Sequence, residues 1–293
     1  MKLAIVLNSS AGSVAEKGFT MPDIKQAFKN SGVETEIIVI DKKPLNEIVK
    51  FVTYQDYDAI AAAGGDGTVN GVASLLVGNK LPLGILPLGT LNHFAKDLGI
   101  PLNLEEAAAV IAAGKTKKID VGVVNDEFFV NNSSIGIYPK IVKHRDSKKD
   151  KLNSKWIAMG DAFISTFSRF PVSHIKITTE TKSIKCVTPF VFVGNNEYET
   201  DIFSLGKRQE LNRGCLNLYY PVVSSRFSMI RFFFHALINT LEQQKDFNIE
   251  KVREVKIETR KKYVDVSVDG EVINMPSPLH YSIKPGALTV IAP

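Results

Sequence analysis

Ala61-Ala62-Ala63-Gly64-Gly65-Asp66-Gly67-Thr68-Val69-Asn70-Gly71 decides how the rest of this chain is read. Asp58–Ala63 is a short apolar run of strand character, and Val69–Leu76 has a helical pattern, so the glycines stand at a strand-to-helix turn. Glycine lets the backbone approach a polyphosphate and turn its N–H groups inward, and a helix N-terminus favours negative charge. Asp66 cannot itself hold a phosphate, so its natural partner is the Mg²⁺ that escorts one. The same residues also fit a plain tight turn in which Asp66 or Thr68 caps the helix. No Rossmann G-x-G-x-x-G is present, and no Gly-Lys-Ser/Thr follows to make a Walker A loop.

A second stretch repeats the arrangement. Leu86-Pro87-Leu88-Gly89-Thr90-Leu91-Asn92-His93-Phe94-Ala95 follows the strand pattern Leu83–Leu86 and opens another helix. Thr90 and Asn92 can cap that helix or donate to phosphate oxygens. Two such loops after successive strands can line one crevice, because ligands of parallel α/β sheets bind beyond the carboxyl ends of the strands.

Working outward, Leu3–Leu7 reads as a buried strand ending at Asn8, followed by the small-residue loop Ser9–Ser13. Ile24–Phe28, Leu45–Val52 and Leu104–Ala113 read as helices, and Glu34–Ile40 as a strand. This alternation predicts a parallel sheet covered by helices over 1–121. Beyond Val121 the runs Phe128–Asn131, His174–Thr179, Ile184–Val193, Cys215–Tyr220, Val255–Thr259 and Tyr263–Val268 are short and β-rich, with one apolar helix at Phe227–Leu241. They predict a mainly antiparallel, sandwich-like domain over 122–285. The final apolar strand 286–293 is free to return to either domain. The predicted class is α/β plus mainly β, with the active site in the cleft between the domains.

Composition narrows the field. The chain has 293 residues, of which 44% are hydrophobic and 23% charged, which excludes a disordered, collagen-like or coiled-coil protein. Two cysteines make neither a disulfide framework nor a zinc site and fit a reducing compartment. No apolar stretch reaches the ~20 residues of a membrane span, and the first apolar run is too short for a secretory signal. The expectation is a cytoplasmic protein, at most peripheral to a membrane. The net charge of +5 sits between Lys140 and Lys155, where Lys140, Lys143, Arg145, Lys148, Lys149, Lys151 and Lys155 face only Asp146 and Asp150. That segment is either a solvated loop or a patch drawn to anionic head groups. No nucleic-acid motif accompanies it.

The two glycine loops resemble the signature of the diacylglycerol kinase catalytic family, which includes bacterial lipid kinases and the sphingosine and ceramide kinases. The resemblance extends through Phe129-Val130-Asn131-Asn132-Ser133-Ser134-Ile135-Gly136 and Val268-Asp269-Gly270-Glu271, and so over nearly the whole chain. It implies an ATP-binding α/β domain and Mg²⁺-dependent transfer of the γ-phosphoryl group to a lipid hydroxyl, with diacylglycerol the first choice. By the same resemblance Asn8 and Gly12, then Gly64, Gly65, Asp66, Gly67, Thr68, Val69 and Asn70, then Gly89, Thr90 and Asn92, are expected at the nucleotide, with Asp66 serving its Mg²⁺. The catalytic base is expected from Glu271, ranked above Asp269. Read alone, Asp269-Gly270 is an ordinary hairpin turn. The implied partners are a lipid substrate at the membrane surface, with a homodimer open. NAD kinases and phosphofructokinases share the Gly-Gly-Asp-Gly-Thr loop, which leaves a soluble acceptor as the alternative, and a non-catalytic nucleotide- or lipid-binding regulator as a third.

The sequence departs from the family in two places. Bacterial members carry aspartates, in a segment ending Asp-Gly-x-Leu-Asp, that hold a structural metal. Here Arg213 and Asn217 stand at those positions, so the expectation is no such site, with Arg213 paired to a nearby acid. The first loop, Asn8-Ser9-Ser10-Ala11-Gly12, lacks the family's proline. Elsewhere His93, His144, His174, His235 and His280 are scattered without ligand spacing, and His93 and Asp97 form an i,i+4 helix pair. No Gly-x-Ser-x-Gly elbow supports a hydrolase.

Overall fold

The computed structural model describes residues 1–9, 20–40, 43–136, 172–198, 208, 210–222 and 247–293. Gly12, the basic segment 140–155 and the apolar stretch 227–241 lie outside the described residues.

The first half alternates as the sequence predicts: β1 (Lys2–Leu7), α1 (Met21–Ala27), β2 (Glu34–Val39), α2 (Leu45–Thr53), β3 (Ala59–Gly64), α3 (Asp66–Leu75) and β4 (Leu83–Pro87). Two helices then follow, α4 (His93–Asp97) and α5 (Leu104–Ala113). Local chemistry sets several ends. Thr20 and Asp23 form a reciprocal capping box at α1, and Asn103 caps α5, which stops at Gly114 in the left-handed region. Residues 3–7 of β1 and the whole of β3 are buried, as parallel strands covered on both faces must be.

β1 pairs in parallel with β2 and β3, and β3 with β4, giving the order β2-β1-β3-β4. The chain therefore reverses its direction of winding between β1 and β3. Such a switch point opens a crevice at the carboxyl ends of the two strands. Asn8 leaves β1 on one side of it, and Gly64-Gly65 leave β3 on the other.

The second half supplies β5 (Thr116–Val124), β6 (Glu127–Phe129), β7 (Asn132–Gly136), β8 (Ser173–Thr179), β9 (Ser183–Thr188), β10 (Phe190–Asn195), β11 (Leu216–Pro221), β12 (Phe247–Val252), β13 (Glu254–Thr259), β14 (Tyr263–Val268), β15 (Glu271–Pro276) and β16 (Leu279–Ile291). Among the described residues, β12-β11-β10-β7-β14-β15 form an antiparallel six-stranded sheet. The long β16 joins the halves. It pairs in parallel with β4 at Val290↔Leu83 and antiparallel with β13 and β5, so β13, β8 and β9 extend the first sheet. The predicted class, an α/β sheet followed by antiparallel β structure, is what the structure has. The strand predicted over Ile184–Val193 is instead two strands in different sheets, because Pro189 between β9 and β10 cannot donate to a ladder.

Between the two sheets lies an apolar core. Ile175, Ile177, Val255, Ile257 and Leu279 meet Ile135, Val191, Val193, Leu218 and Val266, and Ser133 and Tyr281 share a hydrogen bond of 3.1 Å across it. A separate core packs the helices of the first half on β1, β3 and β4.

Candidate active site

Two small-residue turns meet at the carboxyl edge of the parallel sheet. Gly65 is the N-cap of α3 and carries no side chain to cap it. Gly89 lies against it so closely that a Cβ on Gly89 would stand 2.6 Å from Gly65 Cα. Gly64 is equally constrained, since a Cβ there would come within 2.8 Å of Thr68 Oγ1. Gly67 is different: it is exposed, and a Cβ would meet nothing within 4 Å. The turn is therefore tight where the loops touch and open where it faces outward.

Asp66 joins the loops. Its Oδ2 accepts the Asn92 N–H at 2.9 Å and its Oδ1 accepts the His93 N–H at 2.7 Å. The carboxylate thus satisfies donors at the start of α4, where a helix leaves N–H groups unpaired and favours negative charge. This corrects the capping expectation: neither Asp66 nor Thr68 caps its own helix. Each carboxylate oxygen retains a second lone pair.

Asn92 occupies the N-cap position of α4 with φ +52° but makes no side-chain cap bond. Its Oδ1 accepts the Gly89 N–H at 3.0 Å, and its Nδ2 donates to Gly89 O at 2.9 Å and Pro87 O at 3.3 Å. The side chain braces its own loop and is buried, whereas Thr90 and Leu91 are exposed. On the far side of the crevice, Asn8 Nδ2 donates to Thr68 Oγ1 at 3.0 Å and Asn8 N–H to Ala63 O at 3.1 Å. Val69 belongs to the core, and Asn70 is buried with its Oδ1 accepting from Asn131 Nδ2 at 3.4 Å.

That last bond leads to the other candidate residues. Asp269 and Gly270 form the two-residue turn between β14 and β15, both with positive φ (48° and 90°). This is the hairpin geometry that Asp-Gly favours. The Asp269 carboxylate accepts three backbone N–H groups: Val130 at 2.8 Å on Oδ2, with Asn131 at 2.8 Å and Asn132 at 3.0 Å on Oδ1. Burial raises its pKa to about 6, although these three donors and the Arg208 charge pull the other way. Glu271, two residues on, is exposed at the start of β15.

Sequence reasoning missed the polar cluster behind this turn. Arg208 is 1% exposed, donates from Nε to Asp97 Oδ2 at 2.8 Å, and reaches Val130 O, Asn195 O and Asn131 Oδ1. Asp97 is thus Arg208's partner, and the expected pair with His93 gives way because the guanidinium offers Asp97 a full charge. His93 Nε2 is buried with no hydrogen-bond partner. Asp120, 2% exposed, takes the N–H groups of Gly214 at 2.6 Å and Gly286 at 2.9 Å. Arg213 pairs with Glu210 at 2.9 Å and Glu197 at 2.6 Å, while Asn217 Nδ2 donates to the Tyr219 hydroxyl at 3.0 Å. Among the described residues, no three His, Cys, Asp or Glu side chains are grouped to hold a metal ion. Nor, among them, is any helix long and apolar enough to cross a membrane.

Residues 2–124 match the model of the diacylglycerol kinase catalytic domain. A diacylglycerol kinase of Staphylococcus saprophyticus is 32% identical over 148 residues, covering 49% of this chain and 48% of that protein. A probable YegS-like lipid kinase of Klebsiella pneumoniae is 35% identical over 141 residues, covering 45% and 47%. The chain spans about half the length of the curated relatives it matches. In fold, the structure is similar to a putative diacylglycerol kinase of Bacillus anthracis, with a TM-score of 0.70 and 23% identity over 100% of this chain and 97% of that one.

Proposed function

We propose, from the match of residues 2–124 to the diacylglycerol kinase catalytic domain, that the chain is an ATP- and Mg²⁺-dependent lipid kinase whose acceptor is the hydroxyl of diacylglycerol. The observation that carries the proposal is the contact of two small-residue loops at one crevice edge, pinned by Asp66, with a second carboxylate corner tied in through Asn70 and Asn131.

The roles follow from the chemistry of each group. The N-terminus of α3 has no side-chain cap; Thr68 N–H turns back to Gly65 O at 3.0 Å, which leaves the N–H groups of Asp66 and Gly67 to hold phosphate oxygens, and the open space at Gly67 admits them. Thr90, exposed on the second loop, adds a hydroxyl donor. Asp66 keeps lone pairs for Mg²⁺, an ion commonly bound by one or two carboxylates plus substrate phosphates. Bound there, the ion would neutralise phosphate charge during transfer.

Glu271 is the proposed base. As the lipid oxygen bonds to the γ-phosphorus and the bond to ADP breaks, the hydroxyl proton passes to its carboxylate. Asp269 is suited to holding the turn, since three of its four lone pairs are committed to backbone amides. The protein's main contribution is to bring hydroxyl and phosphate together in line, as phosphoryl transfer requires. A lipid acceptor also implies peripheral contact with a membrane surface.

The test is transfer of label from γ-³²P-ATP to diacylglycerol, monoacylglycerol, ceramide and sphingosine in mixed micelles, with Asp66→Ala and Glu271→Gln beside the wild type. The expected result is label in diacylglycerol that Asp66→Ala abolishes and Glu271→Gln slows by about 10²–10⁴-fold. No label in any lipid, with ATP binding intact, overturns the proposal and favours a soluble acceptor or a regulator.

A further inference from the structure

Asp97 and Arg208 lie outside both glycine loops and outside the Asp269-Gly270-Glu271 turn, yet they touch the frame of each. Asp97 ends α4, the helix whose first N–H groups grip Asp66. Its Oδ2 lies 2.8 Å from both Nε and Nη2 of Arg208, and its Oδ1 accepts the Arg208 backbone N–H at 3.2 Å. The guanidinium continues inward: Nη1 donates to Val130 O at 2.6 Å and Asn195 O at 3.1 Å, and Nη2 to Asn131 Oδ1 at 2.9 Å. The Tyr198 ring lies 5.5 Å from the guanidinium carbon, and its hydroxyl donates to Asn131 O at 2.9 Å.

The segment 130–132 is therefore held from two sides. Arg208 takes one of its carbonyls and one of its side chains, while Asp269 takes all three of its amides. A cation on the carbonyl and an anion on the amide polarise the Val130–Asn131 peptide in the same sense, so these two bonds reinforce each other. A buried ion pair contributes little stability over a well-packed apolar pair, because both charges must leave water. What this pair supplies is direction, since a rigid, planar guanidinium holds four acceptors in fixed directions.

We infer that Asp97 and Arg208 are positioning residues that set where the Glu271 corner stands relative to the two glycine loops. The path runs from Asp66 along α4 to Asp97, then through Arg208 and segment 130–132 to Asp269 and the hairpin. The inference rests on the kinase reading for its meaning and on the hydrogen-bond path for its existence, and the experiment separates the two.

Arg208→Lys keeps the charge but cannot span the four acceptors. Its kcat for lipid phosphorylation is expected to fall at least tenfold with the KM for ATP within twofold of wild type. Because Arg208 acts through the corner that carries the base, Arg208→Lys combined with Glu271→Gln should be no slower than Glu271→Gln alone. Equal losses in both backgrounds, or a raised KM with kcat unchanged, overturn the inference. Amide hydrogen exchange provides a second reading that needs no activity. Peptides covering 130–132 and 268–272 should lose protection together in Arg208→Lys, and unchanged protection refutes the path. If the wild type labels no lipid, the kinase reading falls and the exchange result alone judges the path. Asp97→Asn, which keeps the side chain's shape, carries the same comparisons if Arg208→Lys does not fold.

Discussion

Substituting Gly89 by alanine tests whether contact between the two loops is what makes the site. The new Cβ would stand 2.6 Å from Gly65 Cα and 2.6 Å from Asn92 Oδ1, against about 3.4 Å for ordinary contact. The shortfall is about 0.8 Å, and neither neighbour yields easily. Gly65 is backbone, and the Asn92 side chain is fixed by three hydrogen bonds within its own loop. Overpacking of this kind costs ~1–3 kcal/mol. If most of that strain is relieved by parting the loops, nucleotide affinity falls by about the same amount, roughly 5- to 150-fold at 1.4 kcal/mol per decade. Gly67→Ala is the counterpart. It meets no neighbour and replaces a glycine in the first turn of α3, so it should leave stability equal or higher, by up to about 1 kcal/mol. A methyl placed where phosphate would lie should still weaken ATP binding. Urea unfolding and isothermal titration with ATP on both variants give the four numbers needed. Gly89→Ala is expected to lose both stability and affinity, and Gly67→Ala affinity alone. Gly89→Ala with wild-type ATP affinity would refute the claim that the loops act as one site, and Gly67→Ala with wild-type affinity would remove phosphate from the mouth of α3.

Two further outcomes follow from the carboxylates. Asp66→Asn puts an amide NH₂ opposite one of two backbone donors, so it should lose ~1.5–3 kcal/mol of stability, the scale of hydrogen bonds to a charged group. Urea midpoints equal to wild type would show that the bonds to Asn92 and His93 carry no weight in the fold. Asp269 has its pKa raised from 3.8 to about 6, first by burial. A raised acid pKa means the native state holds the proton more tightly than the unfolded chain, so this group's contribution to stability is greatest at low pH and declines as pH rises from about 4 to about 6. The stability difference between wild type and Asp269→Asn, followed by urea unfolding across that range, should fall with pH and then level off. A flat or rising difference would contradict the assignment.

The parts of the site legible in the sequence are those built from neighbours in the chain. The run of glycines around Asp66 announces a strand-to-helix turn because backbone freedom and helix patterning are local properties, and Leu104–Ala113 has the bounds predicted for it. The partners of the chemistry-bearing side chains are not local. Asp66 finds its donors 26 and 27 residues away, and Asp269 finds its own 137 to 139 residues away. A carboxylate beside three glycines reads as a cap or a metal ligand from sequence, and nothing in the chain says that Asn92 and His93 will arrive above it. Arg208 had no signal at all. One arginine in a polar stretch looks solvated, and only Val130, Asn131 and the end of β10 arriving beside α4 make it a buried hub.

The same distinction bears on the two carboxylates of Asp269-Gly270-Glu271. The triplet offers both as bases, and the sequence places them within two residues of each other. Hairpin geometry separates them. A two-residue turn with positive φ at both positions ends β14 one residue before Asp269 and starts β15 at Glu271. Asp269 is thereby turned toward the 130–132 amides, while Glu271 stands exposed on the first residue of a strand. A carboxylate that accepts three N–H groups gives up part of their hydrogen bonding whenever it takes a proton, so it makes a poor shuttle however convenient its pKa. A free carboxylate two residues away carries no such penalty. Division of labour between an anchored acid and a free one therefore follows from the turn itself, and it places the demand for accuracy on whatever holds segment 130–132, which is the Asp97–Arg208 pair.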